Sequence, residues 1–421
     1  MKKLLLLLLC FPLIGFGQSW IKTFGDTWSF DEGLAAQQTS DSGYILLSTV
    51  DDTLNNIDYS KLIKTNNFGD TMWTRKFFNI HGSFLQQTSD NGYIITGRDG
   101  WSISLIKTDS QGYLIWQKNY LGNVAENWTN FIEETSDGGF IMTGKSRDMG
   151  SGNDLFLFKT DAFGDSIWCY SYFPETEGMS LKQTNDNGYI VTGHNASDDW
   201  AFLLKTDSIG DTLWSQKYNN QIWWLGHSVQ QTTDGGFIIV GANMTDTINM
   251  TFTLWLHKTD ALGDSVWTKF INGSIFSEMG TSVKQTNDGG YIITGVKNWH
   301  PNSVQPPVPE LWLLKTDSLG DTLWTNTYNT AVFGTTVNQT IDGGYIISGQ
   351  SRLGNDFDAC LIKTDGNGNL TSIFNISLPN ITKGRLLKIT DILGRETKGK
   401  TNEPLLYIYN DGTVEKKIII E

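Results

Sequence analysis

One phrase occurs seven times in this chain of 421 residues, and it limits the fold more than any other feature. It first reads Gln38-Thr39-Ser40-Asp41-Ser42-Gly43-Tyr44-Ile45, then Gln87-Thr88-Ser89-Asp90-Asn91-Gly92-Tyr93-Ile94. Its threonine returns at Thr135, Thr184, Thr232, Thr286 and Thr340, so successive copies lie 49, 47, 49, 48, 54 and 54 residues apart. A second phrase, an apolar run closing on lysine and threonine, alternates with the first at Lys64, Lys107, Lys159, Lys205, Lys258, Lys315 and Lys363. A turn and a tryptophan usually follow, as in Gly210-Asp211-Thr212-Leu213-Trp214. A period near 50 with several short strands per copy is the mark of a propeller. The expected fold is all-β: a seven-bladed β-propeller over residues 18–374.

Each copy divides into four short runs rich in β-branched and aromatic residues, which favours strand over helix. In the fifth copy these are residues 228–232, 237–241, 254–259 and 265–270. No helix is expected after Gln18. The link between the first two strands of a copy needs a residue at positive φ, a conformation glycine adopts without strain. Asp234-Gly235-Gly236, Asp288-Gly289-Gly290 and Asp342-Gly343-Gly344 supply it, with the aspartate bonding back to turn amides. Thr232 and Lys258 are expected to bond backbone or carboxylates at the strand ends. These repeated residues are read as structural, because a turn is needed seven times and a catalytic group is not. Trp20-Ile21-Lys22-Thr23-Phe24 resembles a fourth strand with no third strand before it, while the seventh copy lacks its own tryptophan. The N-terminal strand is therefore expected to complete the last blade and close the ring, which removes exposed sheet edges.

Two segments fall outside the repeat. Residues 1–17 read as a signal peptide: Lys2 and Lys3, an apolar run, then Gly15-Phe16-Gly17 before Gln18. The alternative is a lipoprotein leader ending at Cys10. Residues 375–421 carry 8 Lys/Arg against 6 acids, whereas residues 18–374 carry 21 against 39. That acidic balance argues against nucleic acid or an anionic membrane as partner. The remaining Cys169 and Cys360 have no framework spacing and are expected as buried thiols. In the tail, Asp411-Gly412 between two apolar runs predicts a hairpin.

The phrases Lys388-Ile389-Thr390-Asp391-Ile392-Leu393-Gly394-Arg395 and Gly412-Thr413-Val414-Glu415-Lys416-Lys417-Ile418 resemble the type A sorting domain of the type IX secretion system. The opening differs, with Leu378-Pro379-Asn380 where such domains usually begin Asn-Pro. The resemblance implies a small β-sandwich read as an export signal, with Asp391, Gly394, Arg395, Gly412, Lys416 and Lys417 carrying it. It also implies the secretion machinery as a partner, and a secreted or cell-surface destination reached through the periplasm. The preceding repeats are similar to Asp-Gly-Gly-Tyr propeller repeats often joined to such tails, which have no general activity to transfer.

The two tight turns of each copy share one face of the ring, and the variable links share the other, where recognition usually sits. Trp128, Trp200, Trp223, Trp224 and Trp299, with Asp198 and Asp199, fall on those links. Indoles beside carboxylates suit sugar rings, so glycan or protein binding is the leading expectation. The alternatives are a glycoside hydrolase using a pair among Glu126, Glu177 and Glu278, and a purely structural surface protein. No metal or cofactor motif is found, no transmembrane segment is expected in the mature chain, and a monomer is expected.

Overall fold

The computed structural model describes residues 19–370, apart from 26–28, 53–56, 122–126, 148–152, 196, 198, 219–222, 247–249, 272–276, 300–308, 329 and 354–355. In the tail it describes 386–391, 395–397, 404–409 and 414–418. The described residues form strands and turns and no helix, so none contains a helix able to cross a membrane. The chain divides into two compact units, residues 1–371 and 372–421.

The first unit contains five separate four-stranded sheets, each antiparallel with its strands in chain order. One is Trp224–Gln231, Phe237–Asp246, Thr251–Thr259 and Ser265–Ile271. The sixth sheet has eight strands and joins two such sets through a single parallel bridge between Phe30 and Phe357. One set is Ser29–Gln38, Tyr44–Asp52, Ile57–Thr65 and Thr71–Phe78. The other is Ala331–Gln339, Tyr345–Leu353 and Asp356–Thr364, and its missing outer strand is Trp20–Phe24 from the N-terminus. That strand runs antiparallel to Asp356–Thr364, with Trp20 opposite Lys363 and Phe24 opposite Ala359. This is the closing strand that the orphan tryptophan phrase suggested.

Third strands are buried on both faces, and Asp154–Thr160 is buried throughout. Fourth strands alternate, and Thr212–Tyr218 keeps one side in solvent. The core therefore lies between successive sheets: Ile45, Leu47 and Leu62 of one pack against Leu85, Tyr93 and Ile95 of the next. The fourth-strand tryptophan is part of this joint. Trp214 reaches the next sheet, where it meets Phe237 at 5.9 Å and lies over Gly263. A Cβ on Gly263 would sit 2.6 Å from the indole, so this turn needs glycine for space as well as for its φ of 83°. Trp20 does the same across the closure, against Tyr44 and Gly69. Neighbouring sets are also tied by amides. Gln231 Oε1 accepts from Asn185 N–H at 2.9 Å, and across the closure Gln38 Oε1 accepts from Ile341 N–H at 2.9 Å.

The repeated Thr, Asp, Gly and Lys meet in one cluster. Asp234 Oδ1 accepts from Thr232 Oγ1 at 2.5 Å, Gly236 N–H at 3.0 Å and Lys258 Nζ at 3.1 Å. Lys258 Nζ also donates to Thr259 O at 2.7 Å. The same lysine–aspartate contact recurs at Lys64–Asp41, Lys107–Asp90, Lys159–Asp137, Lys205–Asp186, Lys315–Asp288 and Lys363–Asp342. The lysine stem is buried in every case, and the carboxylate lies at the surface. Partial burial alone would raise these carboxyls. Hydrogen bonds from lysine, threonine and glycine outweigh it and bring Asp90, Asp186 and Asp288 down to about 2.

The glycine pair turns out to have two separate reasons. Gly235 has φ of 85° and open space around a notional Cβ, so only its backbone matters. Ser42, Asn91 and Asn187 hold the equivalent place at φ of 64–67°, which corrects the expectation that glycine is required there. Gly236 is different: a Cβ would lie 2.1 Å from Thr259 O and 2.5 Å from Lys258 Nζ. All seven copies have glycine at that second place, where the clamp closes over the backbone.

Strands also run further than the sequence suggested. Trp128 and Trp224 each begin a first strand and Trp299 ends a second strand, so none of the three belongs to a link. Cys169 and Cys360 form no disulfide, and burial pushes both thiols up to about 12. In the second unit, Leu386–Asp391, Pro404–Tyr409 and Val414–Ile418 form one three-stranded antiparallel sheet, with Leu405 opposite Lys417. The last two strands make the expected hairpin. Asp391 accepts from Arg395 N–H at 2.9 Å and from Arg395 Nε at 2.8 Å. Gly394, Gly412 and the side chains of Lys416 and Lys417 lie outside the described residues.

Three outcomes are expected. Gly236→Ala should cost about 3 kcal/mol, the range of a forced buried clash, and Gly235→Ala about 1 kcal/mol for positive φ alone. Equal losses in urea melts would refute the two-reason account. Deleting residues 18–25 should lower the melting temperature far more than trimming an exposed loop, and an unchanged melt would reject closure by that strand. The clamp carboxyls sit below their ordinary 3.8 in the folded state. Their contribution is therefore complete above about pH 4 and lost as pH falls towards 2. Calorimetry between pH 5 and 2 should show a steep loss of stability, and a flat profile would contradict it.

Candidate functional site

The first strands of the sets surround two adjoining cavities. The wider one, about 480 Å³, is lined by residues from all seven first strands, from Leu34 round to Phe333 and Thr336. The narrower one, about 210 Å³, shares Phe84, Phe131, Ser228, Ser282 and Thr336 with it, so the two adjoin at these residues.

A β-bulge builds the wide cavity. Every first strand slips register by one residue at the same place, as between Gly226 and Ser228 or Gly334 and Thr336. A bulge re-aims a side chain. The seven extra residues, Leu34, Ser83, Asn130, Met179, His227, Thr281 and Thr335, all line the wide cavity. The residue before the bulge is glycine in six copies because the neighbouring sheet is close: a Cβ on Gly178 would lie 2.2 Å from Thr143 Oγ1. The rim adds Trp128, Leu225, Met279 and Phe333, giving a largely apolar wall. Five of the seven bulge residues are polar, but Asn130, His227, Thr281 and Thr335 spend a polar atom on a carbonyl of the neighbouring strand. His227 Nδ1 donates to Gly280 O at 2.7 Å, since a carbonyl only accepts. Burial pushes His227 down to about 4, so it is neutral at physiological pH and its Nε2 is an acceptor. Burial likewise lowers His81 at the rim, with the Arg98 charge adding to the effect.

The narrow cavity is polar. It is lined by the residues two places before each repeat threonine, a column reading Gln37, Gln86, Glu133, Lys182, Gln230, Lys284 and Asn338, of which all but Gln230 line it. Most of the column is engaged with the neighbouring strand. Gln86 Oε1 accepts from Glu134 N–H at 2.7 Å, Gln37 Oε1 from Gln87 N–H at 3.0 Å, and Glu133 Oε2 from Gln183 N–H at 2.7 Å. Lys182 forms an ion pair with Glu133. Lys284 has no hydrogen-bond or ion-pair partner among the described residues. Burial, and then the Lys284 charge, brings Lys182 down to about 8, and burial lowers Lys284 as well.

The residues singled out from sequence mostly lie elsewhere. Trp200 and Trp224 are only 5% and 8% exposed, so they are packing residues and not a ligand platform. Trp200 packs among Phe173 and Phe202, and Trp224 lies 5.1 Å from Trp255. Trp299 is half-buried against Phe252. Trp223 is exposed, and Asp199 supplies the carbonyl that accepts from Trp224 N–H at 3.2 Å. Of the five indoles, only Trp128 lines the wide cavity, with the Arg98 guanidinium 3.9 Å from its ring centre. Glu177 is bound by Lys145 at 2.8 Å and by Asn130 Nδ2 at 2.8 Å. Glu278 is 1% exposed, with Lys297 at 3.8 Å. Neither glutamate lines the cavities. Glu126 and Asp198 lie outside the described residues. Lys182, Lys284, His227 and the bulge residues were not expected from sequence. Their signal was there, in charged residues interrupting a column of amides at a fixed distance from the repeat threonine.

Solved structures share this architecture. The Dos1 propeller superposes with a TM-score of 0.51 at 12% identity, covering 79% of this chain and 77% of that one. YCF48 bound to D1 peptide gives 0.50 at 9% identity, covering 85% and 99%. The fold is a β-propeller. The propeller domain of the Trilobed protease from Pyrococcus furiosus gives 0.48 at 11% identity, covering 82% and 99%. No protein-family model matches the chain, and no curated protein does.

The His227 assignment carries a test. Since its folded value lies below the ordinary 6.5, its neutral form is favoured, and its contribution is present at pH 7 and lost as pH falls from 6.5 towards 4. His227→Gln, which keeps a donor, should flatten that part of the stability profile by about 1 kcal/mol or more. An unchanged profile would show that the ring takes up its proton without cost.

Proposed function

We propose that the protein is an exported seven-bladed propeller whose axial cavity is a binding site, seating an apolar group of a protein or peptide ligand. The observation that carries this is the ring of seven bulge residues around one largely apolar space. Pockets of this size whose exposed surface is mostly apolar are the usual form of a binding site. The sets of four strands are the blades, and Trp20–Phe24 is the outer strand of the seventh. The solved YCF48 propeller is described with a bound peptide, which is a property of that protein and a precedent of fold only.

Residues 1–17 are a signal peptide in this reading. Residues 375–421 are the type IX sorting domain, a reduced β-sandwich that directs the chain to the outside or the cell surface. The glycan reading rests on Trp223 and Trp128, because the other indoles are spent on packing. The hydrolase reading has less support, because Glu177 and Glu278 both engage lysines away from the cavities.

The test is a peptide array and a polysaccharide gel series run with the mature chain and with Met179→Trp, which fills the cavity. Retention on apolar peptides, reduced about tenfold or more by the filling variant, is the expected result. Polysaccharide retardation that survives Met179→Trp and is lost in Trp223→Ala would overturn the axial site. Reducing ends released from any polysaccharide would restore the enzyme reading.

A further inference from the structure

The narrow cavity has a charge imbalance. Its lining holds two ammonium groups, Lys182 and Lys284, and one carboxylate, Glu133. Glu133 already accepts from Lys182 and from Gln183 N–H. Lys284 is left with no partner among the described residues. An unpaired ammonium in an enclosed site is costly. It also stands out in a segment with 21 basic and 39 acidic residues, where the outer surface repels anions. Four sister positions in the column carry an uncharged amide, so nothing in the repeat requires a lysine here.

Resting on the axial binding reading, we infer that Lys284, with Lys182 beside it, receives the carboxylate of a ligand whose apolar body fills the wide cavity. The two spaces adjoin at Phe84, Phe131 and Ser228, which line both. A small inorganic anion would leave the apolar wall unused, and a neutral apolar ligand would leave Lys284 unpaired. A monocarboxylate with an apolar body uses both. A fatty acid and the free C-terminus of an apolar peptide share this chemistry. The other titratable groups lining the narrow cavity are Lys182 and Glu133, and its uncharged polar groups are the amides of Gln37, Gln86 and Asn338 and the hydroxyls of Ser228, Ser282 and Thr336. Both lysines titrate below their ordinary value, so carboxylate affinity falls as pH rises from 7 to 10.

The experiment is calorimetric titration of the full mature chain with octanoate, octanol and octylammonium. Trileucine with a free C-terminus and trileucine amide separate the two sources. Octanoate should bind about tenfold or more tighter than octanol, the effect of one charge-assisted contact, and octylammonium should be weakest. Lys284→Gln restores the commonest residue of the column. It should bring the octanoate-to-octanol ratio near one and leave octanol affinity unchanged. Lys284→Met is the second variant, and Lys284→Arg should keep the preference. Melting temperatures of the Gln and Met variants should equal or exceed that of the parent. If octanol binds and the ratio is already near one, or is unchanged in Lys284→Gln, the anion site is refuted and the apolar seat stands. If none of the three ligands and neither peptide binds, both readings fail.

Discussion

The whole ring depends on a buried lysine that reaches an aspartate over a bare backbone. In each copy the third strand sends its lysine under the first turn, where the ammonium meets the aspartate, a threonine carbonyl and no side chain from the intervening glycine. This one contact fixes the turn, ties the third strand to the link between the first two, and satisfies a cation that the core otherwise excludes. Because the contact is repeated in every set, the turn and the third strand are held alike in each. That sameness lets one tryptophan joint serve at every boundary between sets.

Most of this scaffold was legible because it is repeated. The threonine and lysine spacings, the short β-rich runs and the orphan Trp20 phrase led to the strand count and to the closing strand. The first glycine was misjudged, because positive φ was the only reason considered and Ser42 meets it too. The site was poorly legible for a physical reason. Strands were drawn too short, so Trp128, Trp224 and Trp299 were assigned to links when they lie in strands. The bulge was invisible, since one extra residue per strand leaves the period unchanged while it turns a different side chain to the axis. Lys182 and Lys284 were hidden by their type, as lysine normally reads as solvated surface.

The molecule thus combines a symmetric frame with an asymmetric centre. Clamps, turns and boundary tryptophans vary little between copies. The axial columns vary freely, running from leucine and methionine to histidine, lysine and glutamate. A ring of this kind presents seven independently variable positions at each level of its axis, and changing one need not disturb the clamps further out.

The closing strand has a consequence for the order of events in folding. Trp20–Phe24 is made first, yet its partner Asp356–Thr364 emerges among the last residues of the first unit. The link between Gln38 and Ile341 spans 303 residues. Contacts this distant in sequence form slowly and late. Each four-stranded set can assemble locally as it is synthesised, but the ring stays open until the final set arrives. A ribosome-bound chain therefore remains an open arc, and it locks only once Asp356–Thr364 has emerged to meet Trp20–Phe24.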